Sequence, residues 1–159
     1  MMNAEHAVAA PTGNPLARLY RSAASSIDSL QSIFALAVRL YVAQVFFMSG
    51  LTKIQDWSIT LSLFQNEYHV PLLSPAVAAL LGTAAELSLP VLIAVGLGTR
   101  IAALALFVFN IVAVISYPDL SDAGLKDHIL WGALMLVIFF YGPGKIAVDR
   151  WLEARDCRT

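Results

Sequence analysis

An arginine at position 39 and a glutamate at position 86 each stand inside a long, otherwise apolar run, Ser32–Thr52 and Pro75–Gly98 respectively. A charge at the centre of a membrane helix costs about 2.5–3.5 kcal/mol on insertion scales. Two such charges of opposite sign are expected to face each other or something they bind. As a mutual pair they would fix helix register, and removing either partner would strand the other. As a polar pocket they would let Glu86 handle a proton or orient a polar head group. Asn110, in a third apolar run, can donate and accept hydrogen bonds, serving either a ligand or a neighbouring helix. Lys53 and His128 fall at the outer interface, where His128 reads as a solvated end residue or, alternatively, a proton carrier.

Other chemistries lack their residues. The three histidines, His6, His69 and His128, are not at ligand spacing, so no metal or haem site is expected. No nucleophile elbow, HExxH or nucleotide loop occurs, and catalytic residues remain unassigned. Gly96-x-Gly98 lies between two apolar runs and reads as a turn rather than a phosphate cradle. The single cysteine, Cys157, reads as a free tail thiol without a partner for a disulfide or CxxC pair.

The elements that must position these residues follow from composition. Of the 159 residues, 58% are hydrophobic and 13% charged, against about a quarter charged in soluble domains. With a mean hydropathy of +0.72, the chain belongs in a bilayer. Four runs approach the ~20 residues a span needs: about 32–53, 75–97, 99–117 and 125–142. The last reaches spanning length only if Leu125 to His128 join it. Thr99 is the expected N-cap of the third.

Seven of the ten basic residues, Arg18, Arg21, Arg100, Lys145, Arg150, Arg155 and Arg158, then share one side. By the positive-inside rule both termini are cytoplasmic. In the first outer loop, Trp57, Leu61, Phe64 and Tyr68 are spaced four, three and four apart. That spacing marks an amphipathic helix, anchored in the outer leaflet or closing over a site between the spans.

The fold class is thus an all-α integral membrane protein, a four-helix transmembrane bundle with an amphipathic segment in the first outer loop. Residues 1–30 are expected to be a flexible tail without a cleavable signal, 31–151 the membrane domain, and 152–159 a second tail. On the spans, Arg39, Ala43, Phe46, Gly50 and Lys53 form one bundle-facing stripe. Glu86 shares a face with Gly82, Thr83 and Pro90. His128, Trp131, Met135 and Phe139 line an edge of the fourth span.

Three stretches, Arg39-LYVAQVFFMS-Gly50-LT-Lys53, Glu86-LSLPVLIAV-Gly96-LGT-Arg100 and Tyr141-GPGKIAVDR-Trp151, resemble the DoxX family of small bacterial four-helix membrane proteins. The resemblance covers about residues 33–151. It implies an inner-membrane helper in redox or sulfur chemistry or oxidative stress, since the family takes its name from a thiosulfate:quinone oxidoreductase. More distant relatives include cargo receptors and chaperones. The chain has no intramembrane cysteine or ligand cluster, so an electron carrier must come from a partner or from bound quinone.

Three functions compete. The first is a quinone-interacting subunit of a redox assembly, with Glu86, Arg39 and Asn110 at the head group and Phe46, Phe107 and Trp131 along the tail. The second is a non-catalytic membrane scaffold or chaperone. The third is a small-molecule or metal-complex transporter, for which four helices leave little room. The expected partners are the lipid bilayer and another protein or a second copy; nucleic acid is not among them.

Overall fold

A computed structural model describes residues 14–156, so the calls made on residues 1–13 and on Cys157 lie outside the described residues. The chain folds as α1 (Pro15–Gln55), α2 (Trp57–Asn66), α3 (Pro75–Val95), α4 (Thr99–Ser116), α5 (Asp122–Tyr141) and α6 (Val148–Asp156). Segments Leu30–Gln55, Pro75–Val95, Thr99–Ser116 and Asp122–Tyr141 are long and apolar enough to cross a membrane. Each expected span is present within a few residues, and Leu125 to His128 do join the fourth.

The expected irregular segment before the first span is instead helical from Pro15 onward. Proline is tolerated at a helix's first turn, where its missing N–H has no intrahelical partner to lose. The Asn14 side chain accepts from the Leu16 N–H at 3.0 Å and completes the cap. At 1.5 Å per residue α1 is about 60 Å long, twice the ~30 Å hydrocarbon thickness, so one end projects beyond the bilayer. The residues assigned to the second tail are likewise helical, as α6, as far as Asp156.

Helix α1 packs most extensively on α3, and α4 on α5 and α3. The core is built from Val42 and Phe46 of α1, Ile93 of α3, Leu106 of α4 and Met135 of α5, all at most 3% exposed. Small residues allow the closest approaches. A Cβ at Gly50 would lie 2.9 Å from Leu87 Cδ2 and 3.0 Å from Glu86 Cβ, so only glycine fits that α1–α3 crossing.

The amphipathic outer-loop segment is α2. Asp56 caps it, accepting from the Ser58 and Ile59 N–H groups at 3.0 and 3.1 Å. Its Phe64 turns inward onto Ala78 and Ala79 of α3, with Tyr68 and Val70 packed alongside. Ile59 remains exposed on the other side, and Trp57, on the same face as Phe64, is 41% exposed at the start of the helix. The His69 N–H donates to the Ser116 carbonyl at 2.7 Å, tying the loop to the end of α4.

At the opposite end, Gly96 ends α3 with φ +81°, and a Cβ there would come within 2.7 Å of Ala147 Cβ and 2.9 Å of Arg39 Nη2. Thr99 is not the cap of α4: Gly98 holds that position, and Thr99 is the helix's first residue. The capping acceptor is distant in sequence. Asp149 takes the Gly98 N–H at 2.7 Å, the Thr99 N–H at 2.9 Å and the Thr99 hydroxyl at 2.7 Å.

Candidate functional site

Arg39 and Glu86 do not meet. Gly50 of α1 sits against Glu86, and Arg39 lies three turns away from it, about 16 Å along the helix axis. The guanidinium is 1% exposed and lies opposite the C-terminal end of α3. There it donates from Nε to the Ile93 carbonyl at 2.8 Å and from Nη2 to the Ala94 carbonyl at 2.6 Å. Nη1 donates to the Pro143 and Ile146 carbonyls, both at 2.7 Å. The last carbonyls of a helix have no intrahelical donor, so a buried fork of N–H groups supplies what that end lacks. Arg39 therefore fastens α1, α3 and the segment after α5 into one joint.

The partner of Glu86 is Lys53. Its Nζ lies 2.6 Å from Oε2 and 2.8 Å from Oε1, and it also donates to Ser49 Oγ at 3.0 Å. The Ser49 hydroxyl donates in turn to Glu86 Oε1 at 3.1 Å. The Lys53 and Glu86 side chains are 17% and 7% exposed, so the pair is largely withdrawn from solvent. Pro90, one turn after Glu86, has no N–H for the Glu86 carbonyl, which leaves that turn of α3 without its regular bond.

This pair forms the polar end of a cavity of about 380 Å³. Phe64 and Tyr68 cover it, Gly82 and Ala85 of α3 and Phe109 and Ala113 of α4 line it, and Ser116, Tyr117 and His128 complete its rim. Burial, and then the charges of Tyr117, Glu67 and Glu86, push the Tyr68 phenol above its usual value. Ser116 Oγ is buried with no hydrogen-bond partner among the described residues, as are Thr83 Oγ1 and Trp131 Nε1. Ser116 is the one of these that lines the cavity.

Asn110 serves neither charge. Its amide donates to the His128 carbonyl at 3.0 Å, and its Oδ1 faces His128 Nδ1 at 2.7 Å. With the amide nitrogen committed to a carbonyl, Oδ1 is the acceptor, so His128 carries its proton on Nδ1. The residue joins α4 to α5 and fixes the orientation of the His128 ring, which also packs edge-on to Trp131 at 4.9 Å.

The expected single centre of Arg39, Glu86 and Asn110 is thus three separate clusters. The expected outer-interface residues Lys53 and His128 both line the cavity with Glu86. Phe46 and Trp131 stack edge-on at 5.6 Å in the core, and Phe107 lines a separate groove beside Asn110, so none of these three aromatics lines the cavity. Sequence reading missed Ser49 and Ser116. Ser49, four residues before Lys53, carried a usable signal of shared helical face; an isolated serine ending α4 carried none.

Four apolar helices closed around buried charged and polar clusters define a multi-pass membrane protein. The DoxX family model matches residues 34–118, more than half the chain, and the protein belongs to that family. The match spans α3 and α4 and nearly all of the first span, and it includes Arg39, Lys53, Glu86 and Asn110. The Tyr141–Trp151 stretch of the sequence resemblance lies beyond it. No curated protein and no solved structure matches the chain.

Proposed function

We propose that this DoxX-family protein binds a quinone-class head group in the cavity beside Glu86. It would act as an accessory subunit of a redox, sulfur-metabolism or oxidative-stress assembly in the bacterial inner membrane. The basic bias of the terminal side supports cytoplasmic placement of both ends. The observation that carries the reading is the cavity's polarity: apolar and aromatic walls with one hydrogen-bonding end. Its volume falls within the roughly 300–1,000 Å³ of small-molecule sites.

The residues fit a planar ring bearing carbonyls. Tyr68, the Ser116 hydroxyl without a partner among the described residues, and Lys53 can donate to carbonyl oxygens, while Phe64 and Phe109 supply aromatic lining. A quinone, when bound, supplies the capacity to take up two electrons and two protons. In this reading Glu86, released from Lys53 by the bound ring, would take up a proton near such an oxygen.

Quinone retained by the purified protein, together with quinone reduction by native membranes, tests this reading. Glu86→Gln should lower both, and Gly82→Ala, which narrows the cavity without touching a charge, should lower retention. Equal quinone content and equal reduction in both variants would refute the proposal.

A second reading, a non-catalytic scaffold or chaperone, is favoured by one observation. The part of α1 before the span carries Leu16, Leu19, Tyr20 and Ile27 at helical spacing, 64–75% exposed. A partner or second copy captured equally by wild type and Glu86→Gln, without quinone, would favour it.

A further inference from the structure

The end of the bundle opposite the Glu86 cavity holds a larger one, of about 670 Å³. Its walls are Phe34, Ala35 and Val38 of α1 and Val137, Ile138 and Tyr141 of α5, all within or at the ends of candidate spans. Phe34 is 64% and Tyr141 85% exposed, so the groove opens sideways to the surface that spanning helices present to lipid. The Gly142–Gly144 turn closes it toward the aqueous side, where Arg100, Lys145, Arg150 and Glu153 complete the lining.

The charges here are unbalanced. Glu153 is matched by Arg150, its Oε2 lying 3.0 Å from Nη1. Neither the Arg100 guanidinium nor the Lys145 ammonium has an ion pair or side-chain hydrogen bond among the described residues. Asp149, the nearest other carboxylate in sequence, is turned to the start of α4. The exposed Arg100 guanidinium lies close against Gly142, where a Cβ would stand 3.1 Å from its Nη2. Among the described residues, two cations without an ion-pair partner therefore sit at the mouth of an apolar, lipid-facing groove.

We propose that this groove binds an anionic phospholipid of the leaflet on the side of the chain ends. Its phosphate sits between Arg100 and Lys145, and an acyl chain runs between α1 and α5. Basic pockets between membrane helices recognise lipid head groups by this combination of charge and apolar wall. A zwitterionic lipid carries its own cation and gains less from the same pair. Inorganic phosphate gains nothing from the walls.

The test uses the full chain, delipidated in neutral detergent and titrated separately with phosphatidylglycerol, phosphatidylcholine and inorganic phosphate, with bound species read by native mass spectrometry. Phosphatidylglycerol should bind in preference to phosphatidylcholine, and phosphate should not displace it. The double variant R100Q/K145Q should weaken phosphatidylglycerol binding about twenty-fivefold, at roughly fivefold per basic residue. K126Q, at the other end of the bundle, should leave it unchanged. Phosphatidylglycerol with a photoactivatable acyl chain should label wild type at α1 and α5 near Phe34 and Val137, a readout that does not depend on any variant folding. Equal binding of the two lipids, displacement by phosphate, undiminished binding by R100Q/K145Q, or labelling elsewhere would each overturn the proposal. Quinone retention is measured on the same preparations before delipidation and depends on the other cavity, so the two readings fail separately.

Discussion

The two ends of the bundle bury positive charge in different ways. At the loop end, Lys53 meets the full negative charge of Glu86 in a side-chain pair with Ser49 between them. At the terminal end, Arg39 meets no carboxylate within hydrogen-bonding distance among the described residues and instead donates to four main-chain carbonyls. The carbonyls differ from the carboxylate in being immovable. They belong to the end of α3 and the turn after α5, so satisfying them fixes backbone rather than a side chain. The loop end keeps an ion pair beside a cavity, where its members can exchange partners with a bound molecule. One end is a joint and the other is adaptable.

Replacing Arg39 is the most severe way to break that contrast. Arg39→Ala strands four carbonyls on two segments and is expected to cost upwards of about 4 kcal/mol, at roughly 1 kcal/mol or more for each. Arg39→Lys should recover only part, because an ammonium lacks the planar fork. Unfolding in mixed micelles measures both, and full recovery by lysine would show that charge alone matters. At the other end, Lys53→Met leaves the Glu86 carboxyl buried without its cation, for a loss of about 3 kcal/mol. The double variant K53M/E86M should regain most of it. If the double variant is no better than the single one, the pair is not an isolated charge balance.

The smallest effect belongs to Asp149→Asn, at about 1 kcal/mol for a charged group at a helix start. Burial pushes the Asp149 carboxyl upward, but the Thr99 N–H and hydroxyl, the Gly98 N–H and the Arg39 charge outweigh it and hold the group below its usual value. A folded value below the unfolded one means this stability is fully present above about pH 4 and is lost as pH falls through the folded value. Wild type should therefore lose stability on that acid limb more steeply than Asp149→Asn. Parallel curves would remove Asp149 from the terminal joint.

The spans were legible because hydropathy and length leave few alternatives for runs such as Thr99–Ser116. The stripes were legible too, since helical spacing alone places Ala43, Phe46 and Gly50 on the buried face of α1. The pairing of Glu86 was not. Opposite charges suggested Arg39, but partner choice depends on the relative depth of α1 and α3, which is set by the Gly50 contact and is invisible in either helix alone. Carbonyl acceptors are also invisible, because every residue has one and only the fold decides which lose their helical donors. Asp149 as the cap of α4 illustrates the same limit across 50 residues of sequence.

The Arg39 joint also bears on biogenesis. The arginine is synthesised early, its α3 acceptors Ile93 and Ala94 arrive later, and Pro143 and Ile146 come last. During insertion the guanidinium must wait for most of the chain before its donors are all engaged. The turn after α5 thus acts as a latch on the first helix. A chain released before residue 146 would leave a half-satisfied arginine within the membrane, a chemical mark by which quality-control proteases could tell unfinished copies from finished ones.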